Sequence, residues 1–332
     1  MLRKVGFQYA LLVTLALTVF SVSAKPITFY HQGDRLSGHY LAPREPQQLK
    51  AVLIFVHGDG ATTHDAEGYY ALLWQPLRNA GYAILSWDKP GVGKSTGDWL
   101  NQSMQDRSSE VLAAIDWVKT TVKVPNEQIG LVGFSQAGWV VPAIAKADHV
   151  GFAVGIGFAT NWLAQGRYYT ETALRLEGKS ETAILAELKR NEEFVTYLKT
   201  SPSYPEYVEM SGSTMTRQRY GFVLRNFQVD ASDALSGVSV PTLLLWGDSD
   251  LNVDAQNEHK RWYSSANTHL TTVLIENATH GLLDAEAFTG QTFTLGDWMR
   301  LVWLDSDALA DGFLPTLLQW LDDHVEQRQE NM

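Results

Sequence analysis

Six short apolar runs are spaced along this chain: AVLIFVHG at 51–58, YAILSW at 82–87, QIGLVGF at 128–134, FAVGIGF at 152–158, PTLLLWG at 241–247 and LTTVLIE at 270–276. A continuous apolar run of this length, closed by a glycine or a polar loop, reads as a strand buried on both faces of a parallel sheet. The intervals between several of them have helical character. Tyr69–Ala80 is one such stretch, and Met104–Thr121 is a second, with Val111, Ala114, Ile115 and Val118 on one face. A third helical stretch runs from the end of the 128–134 strand through Ala147, and a last helix covers Phe313–Val325. Strands alternating with helices predict a doubly wound α/β fold with a mostly parallel sheet. A β-hairpin precedes it over Ile27–Pro43, turning at Gly33-Asp34. Residues 161–235 break the rhythm. They carry helical patterns (Ile184, Leu185, Leu188, Val195, Leu198) around a Pro/Tyr loop, SPSYPEY, and no strand. We read them as a helical cap inserted over a core formed by 25–160 and 236–332.

The N-terminus carries an address. Arg3 and Lys4 precede an apolar stretch, Ala10–Val22, and Val22-Ser23-Ala24 has the small-residue pattern of a cleavage site. Residues 1–24 therefore read as a cleavable signal peptide, which makes the mature protein periplasmic or secreted. The stretch falls short of the roughly 20 residues of a membrane span. With no cysteine in the sequence, a lipid-anchored cysteine, a disulfide, a thiolate metal site and a cysteine nucleophile are all excluded. A net charge of −11 argues against nucleic acid, which demands a surplus of Lys and Arg. No H-E-x-x-H pattern or His pair with ligand spacing occurs, so neither a metal nor another cofactor is expected.

In such sheets the chemistry collects at the carboxyl ends of the strands. The loops there read His57-Gly58-Asp59-Gly60, Asp88-Lys89-Pro90-Gly91-Val92-Gly93-Lys94-Ser95, Gly133-Phe134-Ser135-Gln136-Ala137-Gly138, Gly247-Asp248-Ser249-Asp250 and Asn277-Ala278-Thr279-His280-Gly281. A serine hydroxyl is a weak nucleophile, and a sharp strand-to-helix turn exposes it only where its neighbours are small. Ser135 between Gly133 and Ala137 meets that need, although the usual G-x-S-x-G ends here in Ala137, with the glycine displaced to Gly138. Among nine histidines, His280 follows a strand and precedes a glycine, which suits a base on a reaching loop. The residues after the 152–158 strand, Ala159-Thr160-Asn161, offer no acid to orient it. Asp248, Asp250 and Asp254 are the remaining candidates.

Taken together, these loops resemble the α/β-hydrolase superfamily, over nearly the whole mature chain except 161–235 and about 286–311. GDRLSGHYLAP, DKPGVGKS and GFSQAGWVVP look most like bacterial esterase and peptidase-like members, and the order Ser, Asp, His is the family's own. The resemblance implies that the acid is Asp250, three residues after the glycine closing its strand. It also implies an oxyanion hole from the backbone N–H groups of Gln136, after the nucleophile, and Asp59, in the loop after His57-Gly58. Gly93-Lys94-Ser95 imitates the end of a phosphate-binding loop, but that motif wants glycine where Asp88 stands. The expected function is hydrolysis of a small-molecule carboxylic ester through an acyl-Ser135 intermediate. The alternatives are an exported peptidase with the same three residues or a binding protein on the same fold. The 161–235 segment holds ten acidic and nine basic residues, and offers no concentrated charge to hold a substrate amine. Its aromatics, Trp162, Tyr168, Tyr169, Tyr204, Tyr207, Tyr220 and Phe222, are expected to wall much of the pocket.

Overall fold

The computed structural model describes residues 24–212 and 215–330, so the proposed signal peptide lies, but for Ala24, outside the described residues. Strands β1 (Lys25–His31) and β2 (Asp34–Leu41) form the expected hairpin, turned by Gln32 and Gly33, whose φ angles are +49° and +89°. Two left-handed residues in succession match the twist of the flanking strands. The apolar runs become β3 (Ala51–Val56), β4 (Tyr82–Trp87), β5 (Ile129–Phe134), β6 (Phe152–Ile156), β7 (Thr242–Gly247) and β8 (Leu270–Ile275). All eight strands make one sheet in the order β1-β2-β4-β3-β5-β6-β7-β8. The hairpin is antiparallel and joins β4 antiparallel, and every pairing from β4 to β8 is parallel. This is the α/β-hydrolase fold.

The strands divide their side chains between two cores. Val52, Ile54 and Val56 of β3 enter one, while Ala51, Leu53 and Phe55 enter the other. That period-2 division explains why a run without polar residues is a strand here: both faces are covered. Each fully buried Val, Leu or Ile contributes about 1.5–3 kcal/mol relative to an exposed one. Helix α1 (Ala71–Asn79) covers one face with the C-terminal helix, and α2 (Met104–Thr121) covers the other with the short α3 (Val141–Lys146). The expected continuous helix after β5 is in fact two pieces. Ser135–Trp139 forms a 3-10 turn, and Val140, at φ −122° and ψ −58°, leaves helical geometry before Pro142 opens α3 in its first turn.

Residues 161–235 fold as α4 (Trp162–Leu176), α5 (Glu181–Leu198), α6 (Tyr204–Ser211), α7 (Arg217–Asn226) and α8 (Ser232–Ser236). The segment's two ends meet, Ala231 donating its N–H to the carbonyl of Thr160 at 2.8 Å. Tyr207 and Tyr220 pack with Leu198 and Phe227 in a small core of their own, with Tyr204 against it, whereas Leu185 is solvent-exposed. Past β7 the chain adds α9 (Ala255–Tyr263), α10 (Leu295–Leu304) and α11 (Phe313–Glu330). The α10 stretch, which no pattern in the sequence predicted, turns Leu301 inward and leaves Leu295, Met299, Val302 and Trp303 exposed.

Candidate active site

Strand order reverses about β3, because the chain steps to β4 on one side and later to β5 on the other. The crevice between the carboxyl ends of β3 and β5 is where such sheets bind ligands. Gly58 and Ser135 face one another across it. A Cβ added at Gly58 would lie 3.3 Å from the Ser135 Cβ. Ser135 itself has φ +50°, a left-handed conformation costly for a residue with a Cβ, which turns its side chain out of the strand.

The displaced glycine of the serine turn has a packing reason. Phe158 fills the space beneath it: a Cβ at Gly138 would stand 2.8 Å from the Phe158 ring, and one at Gly133 2.9 Å. Ala137 is fully buried, and its Cβ lies on the Gly133 side, 3.0 Å from where a Cβ at Gly133 would stand. The turn therefore needs glycine at 133 and 138, and tolerates alanine at 137.

Ser135, His280 and Asp250 form one hydrogen-bonded line. The Ser135 hydroxyl lies 2.9 Å from His280 Nε2, and His280 Nδ1 lies 2.7 Å from Asp250 Oδ2. With Nδ1 protonated and donating to Asp250, Nε2 is free to accept from Ser135. Asp250 is fixed in turn by the N–H groups of Asn252 and Val253, which donate to its Oδ1 at 2.7 and 2.8 Å. Asp248 instead accepts from Ser249 and from the Ala278 N–H, and Asp254 caps α9 through Asn257. Burial presses the His280 pKa down, but the Asp250 charge and hydrogen bond outweigh it and hold it above the usual 6.5. Room for the imidazole comes from Gly157, at the end of β6. Its φ is +63°, and any Cβ there would meet His280 Cε1 at 2.9 Å. Tyr69 holds the histidine loop by donating to the Gly281 carbonyl at 2.5 Å.

Beneath the β3 loop lie two buried basic side chains that the sequence reading passed over. Arg107 of α2 donates to the Gln136 side chain at 2.6 Å and to the His57 carbonyl at 2.5 Å. Lys89 donates to the carbonyls of Gly58 and Gly60 at 2.6 and 2.8 Å and lies 5.0 Å from the centre of the Trp99 ring. Burial holds the Lys89 pKa well below the ordinary lysine range, with the Arg107 charge adding to the effect. The same burial lowers the His57 pKa to about 3, so this imidazole is neutral. Its ring nitrogens meet the Tyr70 hydroxyl and the Trp87 carbonyl. His57 is thus structural. Arg107 and Glu110 could have been noticed, since both fall on the apolar stripe of α2 beside Val111 and Ala114, where a charge needs a buried partner. The Asp59 side chain takes a bond from Gln136 Nε2 at 3.0 Å and two from Arg219 of α7, at 2.9 and 2.6 Å.

A cavity of about 380 Å³ opens beside Ser135 and His280. Its apolar wall is Tyr69, Phe134, Leu251, Leu283, Phe288, Phe293 and Trp298. This corrects the expectation for the helical segment: none of its aromatics reaches this cavity. Tyr204, Tyr207 and Tyr220 go to the segment's own core. Among its described residues, Trp162, Gln165 and Arg219 approach the serine, at a smaller cavity of about 150 Å³ on the Gln136 side. The stretch from Phe288 to Trp298 does the work instead, drawn in because Phe288 and Trp298 pack on the core that covers β7. Among the described residues no group of three His, Cys, Asp or Glu side chains is arranged to hold a metal, and no helix is long and apolar enough to cross a membrane.

A sequence model of the Alpha/beta hydrolase family matches residues 53–290, and the chain belongs to that family. It is a hydrolytic enzyme of the family. It is 24% identical over 246 residues (69% of this chain and 80% of the other) to a 2-hydroxy-6-oxononadienedioate/2-hydroxy-6-oxononatrienedioate hydrolase of Paraburkholderia phymatum. Among solved structures it is similar in fold to the Pyrococcus furiosus esterase Pf2001, at TM-score 0.58 and 15% identity over 92% of each chain. It is also similar to Est1E of Butyrivibrio proteoclasticus, solved with ferulic acid, at TM-score 0.54 and 18% identity, covering 92% of this chain and 98% of that one.

Proposed function

We propose that the protein is a serine hydrolase that cleaves carboxylic esters, with Ser135 as nucleophile, His280 as base and Asp250 as the acid that orients it. The observation carrying this reading is the unbroken hydrogen-bonded line from Asp250 through His280 to Ser135, placed at the mouth of an apolar cavity. In the first half-reaction the Ser135 oxygen bonds to the ester carbonyl carbon while its proton passes to His280 Nε2. The carbonyl π pair moves onto oxygen, where the backbone N–H groups of Gln136 and Asp59 stabilise it. Collapse expels the alcohol, which takes the proton from His280 and leaves an acyl-Ser135. Water then repeats the sequence, His280 accepting its proton, and releases the acid. Asp250 stays ionised throughout and stabilises the imidazolium.

The cavity supports an ester with a sizeable apolar part as the substrate class. Its walls are largely aromatic and aliphatic, suited to the larger apolar part of an ester, held mainly by burial at about 25 cal/mol per Å². Short- to medium-chain p-nitrophenyl esters should therefore be cleaved with higher kcat/KM than aminoacyl amides. A preparation that cleaves aminoacyl amides faster than every ester tested would overturn the ester reading in favour of a peptidase. Within the ester series, Trp298→Ala should lower the hexanoate-to-acetate ratio of kcat/KM by about tenfold, the equivalent of ~1.4 kcal/mol of lost burial. Trp162→Ala should leave that ratio within twofold. The reverse pattern would return the pocket wall to the helical segment.

The proposed address completes the reading: an exported enzyme whose signal peptide is removed after Ala24, so that the mature chain opens at the first residue of β1. Intact-mass spectrometry of protein from an exporting bacterial host should give a mature N-terminus at Lys25. An intact Met1 terminus in a membrane fraction would contradict it.

A further inference from the structure

We propose that Lys89 is the positioning residue of the oxyanion hole, turning the Asp59 N–H toward the reacting carbonyl by holding the Gly58 carbonyl from below. The inference rests on the ester-hydrolase reading above and names a residue that reading does not use. A trans peptide unit points its C=O and its N–H in opposite directions, and no cis peptide occurs among the described residues. The C=O of the Gly58–Asp59 unit is bound by Lys89 Nζ at 2.6 Å. Its N–H, which belongs to Asp59, is therefore directed away from Lys89.

Which side that is follows from the cavities. Gly58, Asp59 and Ser135 line the 380 Å³ cavity, whereas Lys89, at 2% exposure, does not. The Asp59 N–H thus faces the side on which the substrate sits. The neighbouring units are held in the same sense. Arg107 takes the His57 carbonyl and Lys89 also takes that of Gly60, so three of the four carbonyls from 57 to 60 are drawn down to buried basic side chains. A glycine-rich loop has little preference of its own for one peptide orientation over its flip, so the orientation has to be imposed from outside. Trp99, whose ring centre lies 5.0 Å from Lys89 Nζ, keeps that side chain in place.

Lys89→Met keeps most of the buried volume and removes the donors. Removing one oxyanion donor typically costs about 10²–10³ in kcat. The Met variant should lose about a hundredfold in kcat on a p-nitrophenyl ester, with KM within about twofold. The inhibition constant of 2,2,2-trifluoroacetophenone, whose hemiketal with a serine carries an oxyanion, should weaken by a similar factor. The acid limb of the pH profile, which belongs to His280, should not move. Lys89→Arg, which keeps donors at that place, should recover most of the loss. A merely structural role would lower the fraction of active enzyme in an active-site titration and leave the inhibitor affinity of the remainder unchanged, and that result would overturn the proposal. Should the Met variant fail to fold, the wild-type protein labelled with [¹⁵N]aspartate provides the test. Formation of the hemiketal should move the Asp59 amide proton downfield. An Asp59 signal that stays put while the hemiketal forms on Ser135 sinks the role of Lys89 alone. Failure of the hemiketal to form on Ser135 sinks the ester-hydrolase reading instead.

Discussion

Ser135→Ala should lower kcat on a p-nitrophenyl ester by at least about three orders of magnitude while the protein stays folded. The size follows from what the hydroxyl does: without it no acyl intermediate forms, and the residual rate comes only from the oxyanion donors and from binding. The side chain lies at a turn whose geometry depends on Gly133 and Gly138 rather than on the hydroxyl, which bonds His280. An alanine in the same left-handed conformation carries the same Cβ and adds no strain, so the melting temperature should stay within a few degrees of wild type. KM for the ester should also change little, because the apolar walls of the cavity are untouched. A variant that retained more than about a tenth of the wild-type rate would point to a different nucleophile.

Asp250→Asn should cost about four orders of magnitude in kcat, because the imidazole loses the partner that fixes its tautomer. The pH profile adds a directional test. In the wild type, activity needs neutral His280, so kcat/KM should rise through a single acid limb. That limb should lie above the ordinary histidine value of 6.5, since Asp250 holds the His280 pKa up against the effect of burial. In the Asn variant the charge is gone and burial remains, so the limb should shift to lower pH while the plateau falls. Asp248→Asn should do neither, because the Asp248 carboxylate bonds Ser249 and the Ala278 N–H, while the His280 ring bonds Asp250. Combining Asp250→Asn or His280→Ala with Ser135→Ala should add little to the loss from the serine alone, as groups acting as one unit are not additive. An acid limb unmoved in Asp250→Asn, with the loss appearing in Asp248→Asn, would reassign the acid.

Much of this architecture is legible in the sequence, for a physical reason. Strands buried on both faces leave uninterrupted apolar runs, and chemistry at the carboxyl ends of a parallel sheet falls in the residues that follow those runs. Ser135 and His280 stand out as candidates in that way and Asp250 follows from the family resemblance, and the fold brings the three side chains into one hydrogen-bonded line. The pocket wall was not. Tyr204, Tyr207 and Tyr220 look like lining residues by type, yet they pack on one another, Tyr207 and Tyr220 stacked at 4.3 Å between ring centres and Tyr204 tilted against both. Phe288, Phe293 and Trp298 lie in a stretch with no strand or motif to announce it, and only the tertiary fold brings them back over Ser135. The same holds for Arg219, whose partner Asp59 lies 160 residues away. Lys89 was visible only as part of a loop that imitates a phosphate-binding motif. Its work depends on which carbonyls it reaches, and no spacing in the sequence encodes that.

The most direct test of the account is to trap the serine. After reaction with a fluorophosphonate, intact-mass spectrometry of the wild-type protein should show one adduct, and peptide mapping should place it on Ser135. His280→Ala should react far more slowly and Ser135→Ala not at all. An adduct that maps to another residue, or that forms equally on the Ser135→Ala variant, would contradict the assignment of Ser135 as the nucleophile and the hydrolytic mechanism built on it.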